Sequence, residues 1–81
     1  MEQNIFSPKS IAIVGVSQDS EKIGSVIMKN LIEGGYNGRI YPVNPNYEEL
    51  QGRKAYADIL QIEEDVEMVC IAIPHQFVEN V

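Results

Sequence analysis

Cysteine is almost absent. There is one in 81 residues, so no internal disulfide can form and nothing points to an oxidising compartment. Long apolar runs are missing too: residues 11–14 and 68–73 fall far short of the ~20 needed to span a membrane. Met1-Glu2-Gln3-Asn4 places no basic segment before an apolar one, so no secretory signal is visible and the cytoplasm is the expected location. Basic residues are scarce, with six Lys+Arg against twelve Asp+Glu and a formal charge of −6. That argues against a general nucleic-acid binder, which needs a basic footprint. It leaves room for a phosphorylated small ligand, because a helix N-terminus binds phosphate locally whatever the net charge. The acids at Glu48-Glu49 and Glu63-Glu64-Asp65-Glu67 read as solvated faces. Histidine occurs once, and one His with one Cys cannot make a typical zinc site.

What is present describes one small folded unit. Hydrophobic residues make up 44% of the chain, a globular composition, and its length allows one domain with a small core. Ser10–Val14 is a short apolar run on consecutive positions, the pattern of a strand covered on both faces. Ile23, Val26, Ile27 and Leu31, widened by Met28 and Ile32, recur at helical spacing. We expect a helix over 21–33, capped by Asp19 or Ser20 and ended by Gly34-Gly35. Arg39–Val43 reads as a second strand, although Pro42 cannot donate to a ladder. A helical turn is expected over 47–50, a short strand over 54–56, and a short helix after Asp58. Residues 67–73 read as another strand apolar on both faces, with Cys70 buried in it. Pro74 ends this strand, and a helix is expected to begin at His75.

Strands alternating with helices imply an α/β fold: a Rossmann-like, mainly parallel sheet of about four strands with flanking helices. If the last strand lies beside the first, one sheet face awaits later helices. The chain therefore reads as truncated after its last strand, or as paired with another chain.

In such a sheet, ligands bind beyond the carboxyl ends of the strands. Three segments converge there. The first is Gly15-Val16-Ser17-Gln18 with Lys22 and Gly24: a sharp turn, a hydroxyl, a cation, and a second glycine for close packing. The same residues also suit an ordinary strand-to-helix turn. The second is Asn44-Pro45, where Asn44 suits either a nucleotide contact or a turn. A nicotinamide-dinucleotide fold usually carries a carboxylate at that strand end and G-x-G-x-x-G before it, and both are missing. The third is Ile73-Pro74-His75. No Asp, Cys or Ser partners His75 in motif spacing, so no catalytic residue is expected.

These segments carry a resemblance. The run Phe6-Ser7-Pro8-Lys9-Ser10-Ile11-Ala12-Ile13-Val14-Gly15-Val16-Ser17 resembles the opening of the CoA-binding domain of nucleoside-diphosphate-forming acyl-CoA synthetases. That domain also occurs in related acetyltransferases and in the α subunit of succinyl-CoA synthetase. The likeness continues through Lys22-Ile23-Gly24, Gly34-Gly35-Tyr36-Asn37-Gly38, Tyr41-Pro42-Val43-Asn44-Pro45, Gly52, Tyr56 and Ala72-Ile73-Pro74, nearly the whole chain. It implies that residues 1–81 form a CoA-binding domain, the N-terminal part of a longer ligase, with coenzyme A as cofactor. Such a domain positions CoA by its nucleotide and phosphates and is not catalytic by itself. The whole enzyme would make a thioester through an acyl phosphate. By this resemblance Gly15–Gln18 is the family's glycine-rich loop, Asn44-Pro45 its second-strand turn and Ile73-Pro74 its last strand end; the helix N-terminal amides and Ser17 would hold phosphate, with Lys22 as a point charge and Gly24 for close packing, Asn44 the nucleotide, and residues 73–75 the pantetheine arm. Other domains of the parent chain, or a second copy, would be its protein partners. Relatives often carry a lysine just after the second-strand proline; here Asn46-Tyr47 stand there, and Lys22 or Arg53 would have to compensate. The rival readings are an NAD(H)-binding sensor or oxidoreductase domain and a non-catalytic docking module.

Overall fold

The computed structural model describes residues 8–72. Its elements are β1 (Ser10–Val14), α1 (Ile23–Glu33), β2 (Arg39–Val43), β3 (Glu49–Leu50), β4 (Arg53–Lys54), a 3₁₀ turn (Ile59–Gln61) and β5 (Met68–Ile71). The strands β2, β1 and β5 form a parallel sheet in that order, so the last strand does lie beside the first. The ladder pairs Ile13 with Pro42 and with Cys70. This is the Rossmann-like α/β arrangement expected, with three strands in the main sheet. The expected strand over 54–56 shrinks to β4 and a single parallel bridge from Tyr56 to Val43.

Pro42 is accommodated because β2 is an edge strand. Its carbonyl accepts from Tyr56 N–H at 2.9 Å on the outer side, and that side has no ladder acceptor waiting for the missing N–H. The expected helical turn over 47–50 is instead half of a β3–β4 hairpin, with Leu50 opposite Arg53. Gln51 (φ 51°) and Gly52 (φ 81°) make the two-residue turn, whose positive dihedrals match the twist of paired strands.

The helix starts two residues later than expected, and neither Asp19 nor Ser20 caps it. Asp19 spends its carboxylate on Glu21 N–H at 3.0 Å, folding the loop rather than the helix start. Lys22 occupies the cap position with no side-chain cap bond. At the other end the expected glycine stop is present. Gly35 (φ 85°) and Tyr36 donate back to Ile32 and Leu31 carbonyls at 3.2 and 3.0 Å, a Schellman closure. The buried stripe is Gly24, Ser25 and Met28, while Ile23 and Val26 point outward.

Two apolar layers sandwich the sheet. Ile11, Ile13 and Ile40 pack with Val16, Met28 and Leu50 on the α1 face. Ala12, Tyr41 and Val43 pack with Ile62, flanked by Tyr56, Ile59 and Val66, on the other. The expectation that the last strand is covered on both faces fails for β5. Met68, Val69 and Ile71 are about half exposed, and Cys70 is only partly buried against the α1-side core. As an outer strand, β5 has a neighbour on one side only among the described residues.

The strand registry is pinned by a serine. Ser10 is fully buried; its hydroxyl donates to Asp65 carbonyl at 2.9 Å and accepts from Glu67 N–H at 3.0 Å. Ser10→Ala strands both groups, so thermal denaturation should show a loss of about 1–3 kcal/mol. A second closure joins Tyr36 to the start of β1, its hydroxyl donating to Pro8 carbonyl at 2.6 Å. Desolvation raises the Tyr36 phenol above its ordinary value of 10.0; the Glu67 carboxylate adds to this and Arg39 offsets it. The folded state thus favours the protonated phenol. Its stabilisation is complete below the ordinary value and is lost as pH rises through the raised one. In an alkaline titration followed by phenolate absorbance, part of the signal should lag free tyrosine, and Tyr36→Phe should remove that part.

Candidate functional site

Gly15 ends β1 with φ 104°, a backbone state open to glycine. A Cβ there would run into the Ala72 carbonyl oxygen, the neighbouring chain leaving β5. Gly24, in the first turn of α1, sits against the same loop. A Cβ on it would lie 2.7 Å from Gly15 O and 3.0 Å from Val16 N. Two glycines nine apart in sequence thus bring the helix N-terminus onto the end of the central strand. That approach also turns Ile23 and Val26 outward, which apolar periodicity alone did not indicate.

Polar side chains hold this loop in shape. Asn44 Nδ2 donates to Val16 carbonyl at 2.7 Å, tying the loop to the end of β2, and its Oδ1 accepts from Asn46 N–H at 2.9 Å. Ser25, 2% exposed, closes a two-way bond: its hydroxyl donates to Ser17 carbonyl at 2.7 Å and accepts from Ser17 N–H at 3.1 Å. Gln51 reaches from the hairpin to Ser25 carbonyl at 3.1 Å. Ser17 Oγ accepts from Asp19 N–H at 3.1 Å, which leaves its own proton available.

The helix start is left open. The N–H groups of Ile23, Gly24 and Ser25 have no acceptor among the described residues, and no acidic side chain lies in the first turn. The positive end of the helix dipole and these amides lie at the loop, with Lys22 at the cap position. Such an end suits an anion.

A cleft of about 310 Å³ opens beside this loop, lined by Gly15, Asn44 and Pro45 with Val43, Asp58 and Ile59 among its walls. The volume stands at the lower end of the ~300–1,000 Å³ range of small-molecule sites. Ser17 and Gln18 face a second cleft of about 430 Å³, shared with Ser25, Lys29 and Gln51. Val16 is buried, and Lys22 is exposed at the helix start. Ile73, Pro74 and His75 lie outside the described residues. Ala72, the last described residue before them, donates its N–H to Val14 carbonyl at 2.9 Å. Arg53 does not join the group; it lines a different cleft along the outer edge of β2.

Sequence reasoning missed Ser25 and Asp58. Ser25 reads as an unremarkable helix residue, and only its burial next to a loop carbonyl gives it a role. Asp58 was expected to cap the following turn, and its Oδ1 does accept from Leu60 N–H at 3.0 Å. The Tyr56–Val43 bridge also carries it to the mouth of the strand-end cleft. Among the described residues, no group of three His, Cys, Asp or Glu side chains could hold a metal ion. No helix among them is long and apolar enough to cross a membrane.

Comparison with known proteins agrees with this geometry. The CoA binding domain family matches over residues 9–81. The ADP-forming acetate–CoA ligase of Methanocaldococcus jannaschii is 45% identical over 77 residues, covering 95% of this chain and 11% of the relative. The α subunit of ADP-forming acetate–CoA ligase I from Pyrococcus furiosus is 48% identical over 81 residues, covering 95% of this chain and 18% of the relative. Among solved structures, dinucleotide-forming acetyl-coenzyme A synthetase 1 from Candidatus Korarchaeum cryptofilum, in complex with phosphate and ADP, superposes with a TM-score of 0.83. It shares 39% identity over 98% of this chain, which covers 17% of that structure. The chain thus spans less than a fifth of the length of these relatives. A CoA-binding domain is therefore supported over a dinucleotide oxidoreductase domain, and the chain belongs to the CoA binding domain family.

Proposed function

We propose that this chain is the CoA-positioning domain of a larger cytoplasmic ADP-forming acyl-CoA synthetase. The observation that carries this reading is the uncapped N-terminus of α1, seated by Gly15 and Gly24 on the end of β1. Its free amides are a place for a CoA phosphate, with Lys22 as a neighbouring point charge and the Ser17 hydroxyl as a donor. The cleft at Asn44, Pro45 and Asp58 takes the nucleotide. Its walls are largely apolar, and the second oxygen of Asp58 has no partner among the described residues. Gln18 lines the second cleft beside Ser17. The pantetheine arm is assigned to Ile73, Pro74 and His75, which follow Ala72, whose N–H bonds Val14 carbonyl at 2.9 Å.

The residues present fit the ligand. Gly15 and Gly24 let the loop and the helix start meet backbone to backbone, and the charge needed by a phosphate comes from the helix dipole and Lys22. The chain supplies binding and orientation only. Thioester formation from an acid, CoA and a nucleoside triphosphate belongs to the remainder of the synthetase. Activation of the acid as an acyl phosphate, with ADP leaving, would precede attack by the CoA thiol with release of phosphate. The present domain holds the thiol carrier for that second step.

Thermal denaturation tests the reading. At a concentration about 100 times its Kd, CoA should stabilise the folded chain by ~2.7 kcal/mol, and NADH should stabilise it less. A folded chain that millimolar CoA leaves unshifted would overturn the proposal. Gly24→Ala must displace the Gly15 loop, so it should fold yet bind CoA roughly tenfold more weakly, about 1.4 kcal/mol. Ser25→Ala should release the loop through Ser17 and weaken both CoA binding and stability, the latter by about 1–2 kcal/mol. Calorimetric titration of each variant reads both effects.

A further inference from the structure

The first turn of α1 has no cap, yet it is held. Lys22 at the cap position makes no side-chain bond to the turn. Helix ends left to themselves fray. Here the restraint comes from outside the helix. Gln51, in the β3–β4 turn, donates from Nε2 to Ser25 carbonyl at 3.1 Å. A carbonyl oxygen has two lone pairs, so this bond can stand beside the helix's own. The hydroxyl of the same Ser25 bonds both the N–H and the carbonyl of Ser17. Hairpin, first helical turn and loop are thus joined at one residue.

The backbone at Gln51 is strained. Its φ of 51° makes it the one non-glycine residue with a positive φ among the described residues. Glycine and asparagine take that state readily, and glutamine does not. The packing of the hairpin does not call for glutamine. The tip is exposed, and a Cβ on Gly52 would meet nothing within 4 Å. Leu50, 2% exposed in the core with Val16 and Met28, already anchors the hairpin. Ala55 N–H closes its base on Glu48 carbonyl at 2.9 Å. What glutamine adds is reach to α1. It also lines the second cleft together with Ser17 and Gln18.

We propose that Gln51 is a positioning residue for CoA, one that fastens the first turn of α1 in place of a cap and leaves its amides to the ligand. This rests on the reading that the amides of Ile23, Gly24 and Ser25 receive a CoA phosphate. A Ser, Thr, Asp or Asn cap would bond the N–H of Gly24 or Ser25 and compete with that phosphate. Gln51 holds the same turn by a carbonyl, so order is gained with no donor occupied. A turn ordered before binding loses less freedom on binding, and the difference appears as affinity. The strain at residue 51 persists because its side chain serves the site.

Gln51→Asn and Gln51→Gly test this, each followed by calorimetric CoA titration, thermal denaturation and amide hydrogen exchange. Both replacements suit a left-handed turn, and both are too short to reach Ser25 carbonyl. Each should bind CoA roughly threefold to tenfold more weakly. Each should melt within about 4 °C of the wild type, because relief of strain offsets the lost bond. Without CoA, the Val26 amide, which bonds Lys22 carbonyl at 3.0 Å in the first turn, should exchange several-fold faster while the amides of β1 keep their rates. Wild-type affinity in both variants would overturn the proposal, and so would unchanged exchange at Val26. A large fall in melting temperature in both, with faster exchange throughout the sheet, would show a merely structural residue and overturn it too. If CoA leaves the wild type itself unshifted, the reading of the site fails; if the wild type binds and both variants bind alike, only the role of Gln51 fails.

Discussion

The close contact between Gly15 and Gly24 governs the rest of the molecule. Helix and strand meet there backbone to backbone, at a separation that a single Cβ on Gly24 would violate. The contact sets the rotation of α1, which decides that Gly24, Ser25 and Met28 face the sheet and that Ile23 and Val26 do not. It also puts the amide end of the helix at the carboxyl end of the central strand, where an α/β sheet receives its ligands. Packing and function therefore rest on the same absence of side chains.

Around that contact, the polar side chains that look available for a ligand are largely engaged in holding the loop. Asn44 bonds Val16 and Asn46, Ser25 bonds Ser17 in both directions, and Asp19 bonds Glu21. What remains free is mostly main chain: the first amides of α1. On the proposed reading these fixed dipoles would hold a phosphorylated ligand with little rearrangement, so the chain's acidic balance is no obstacle to binding an anion. Three of the six basic residues, Arg39, Arg53 and Lys54, stand elsewhere, along β2 and β4.

Much of this was legible in the sequence. Ser10–Val14 and Arg39–Val43 stand where their β-branched, consecutive apolar residues place them, because strands covered on both faces leave an uninterrupted signature. The convergence of residues 15–18 with Asn44-Pro45 followed from sheet topology. The helix start did not, because Asp19 is an equally good residue for capping a helix and for folding the loop ahead of it. The hairpin at β3–β4 was missed because Gln51 adopts a positive φ that its residue type does not advertise. Ser25 was invisible for a different reason: its role depends on burial against a loop carbonyl, and no local pattern records that.

The central claim is that CoA is held by the main chain at the junction of β1, β2 and α1. Amide chemical shifts measured by heteronuclear NMR during a CoA titration test it most directly. The account predicts saturable shifts concentrated on residues 15–18, Ile23, Gly24, Ser25 and Asn44, with Arg53 and Lys54 unmoved. Shifts centred on the β2–β4 edge, or none at this junction while CoA binds, would contradict it.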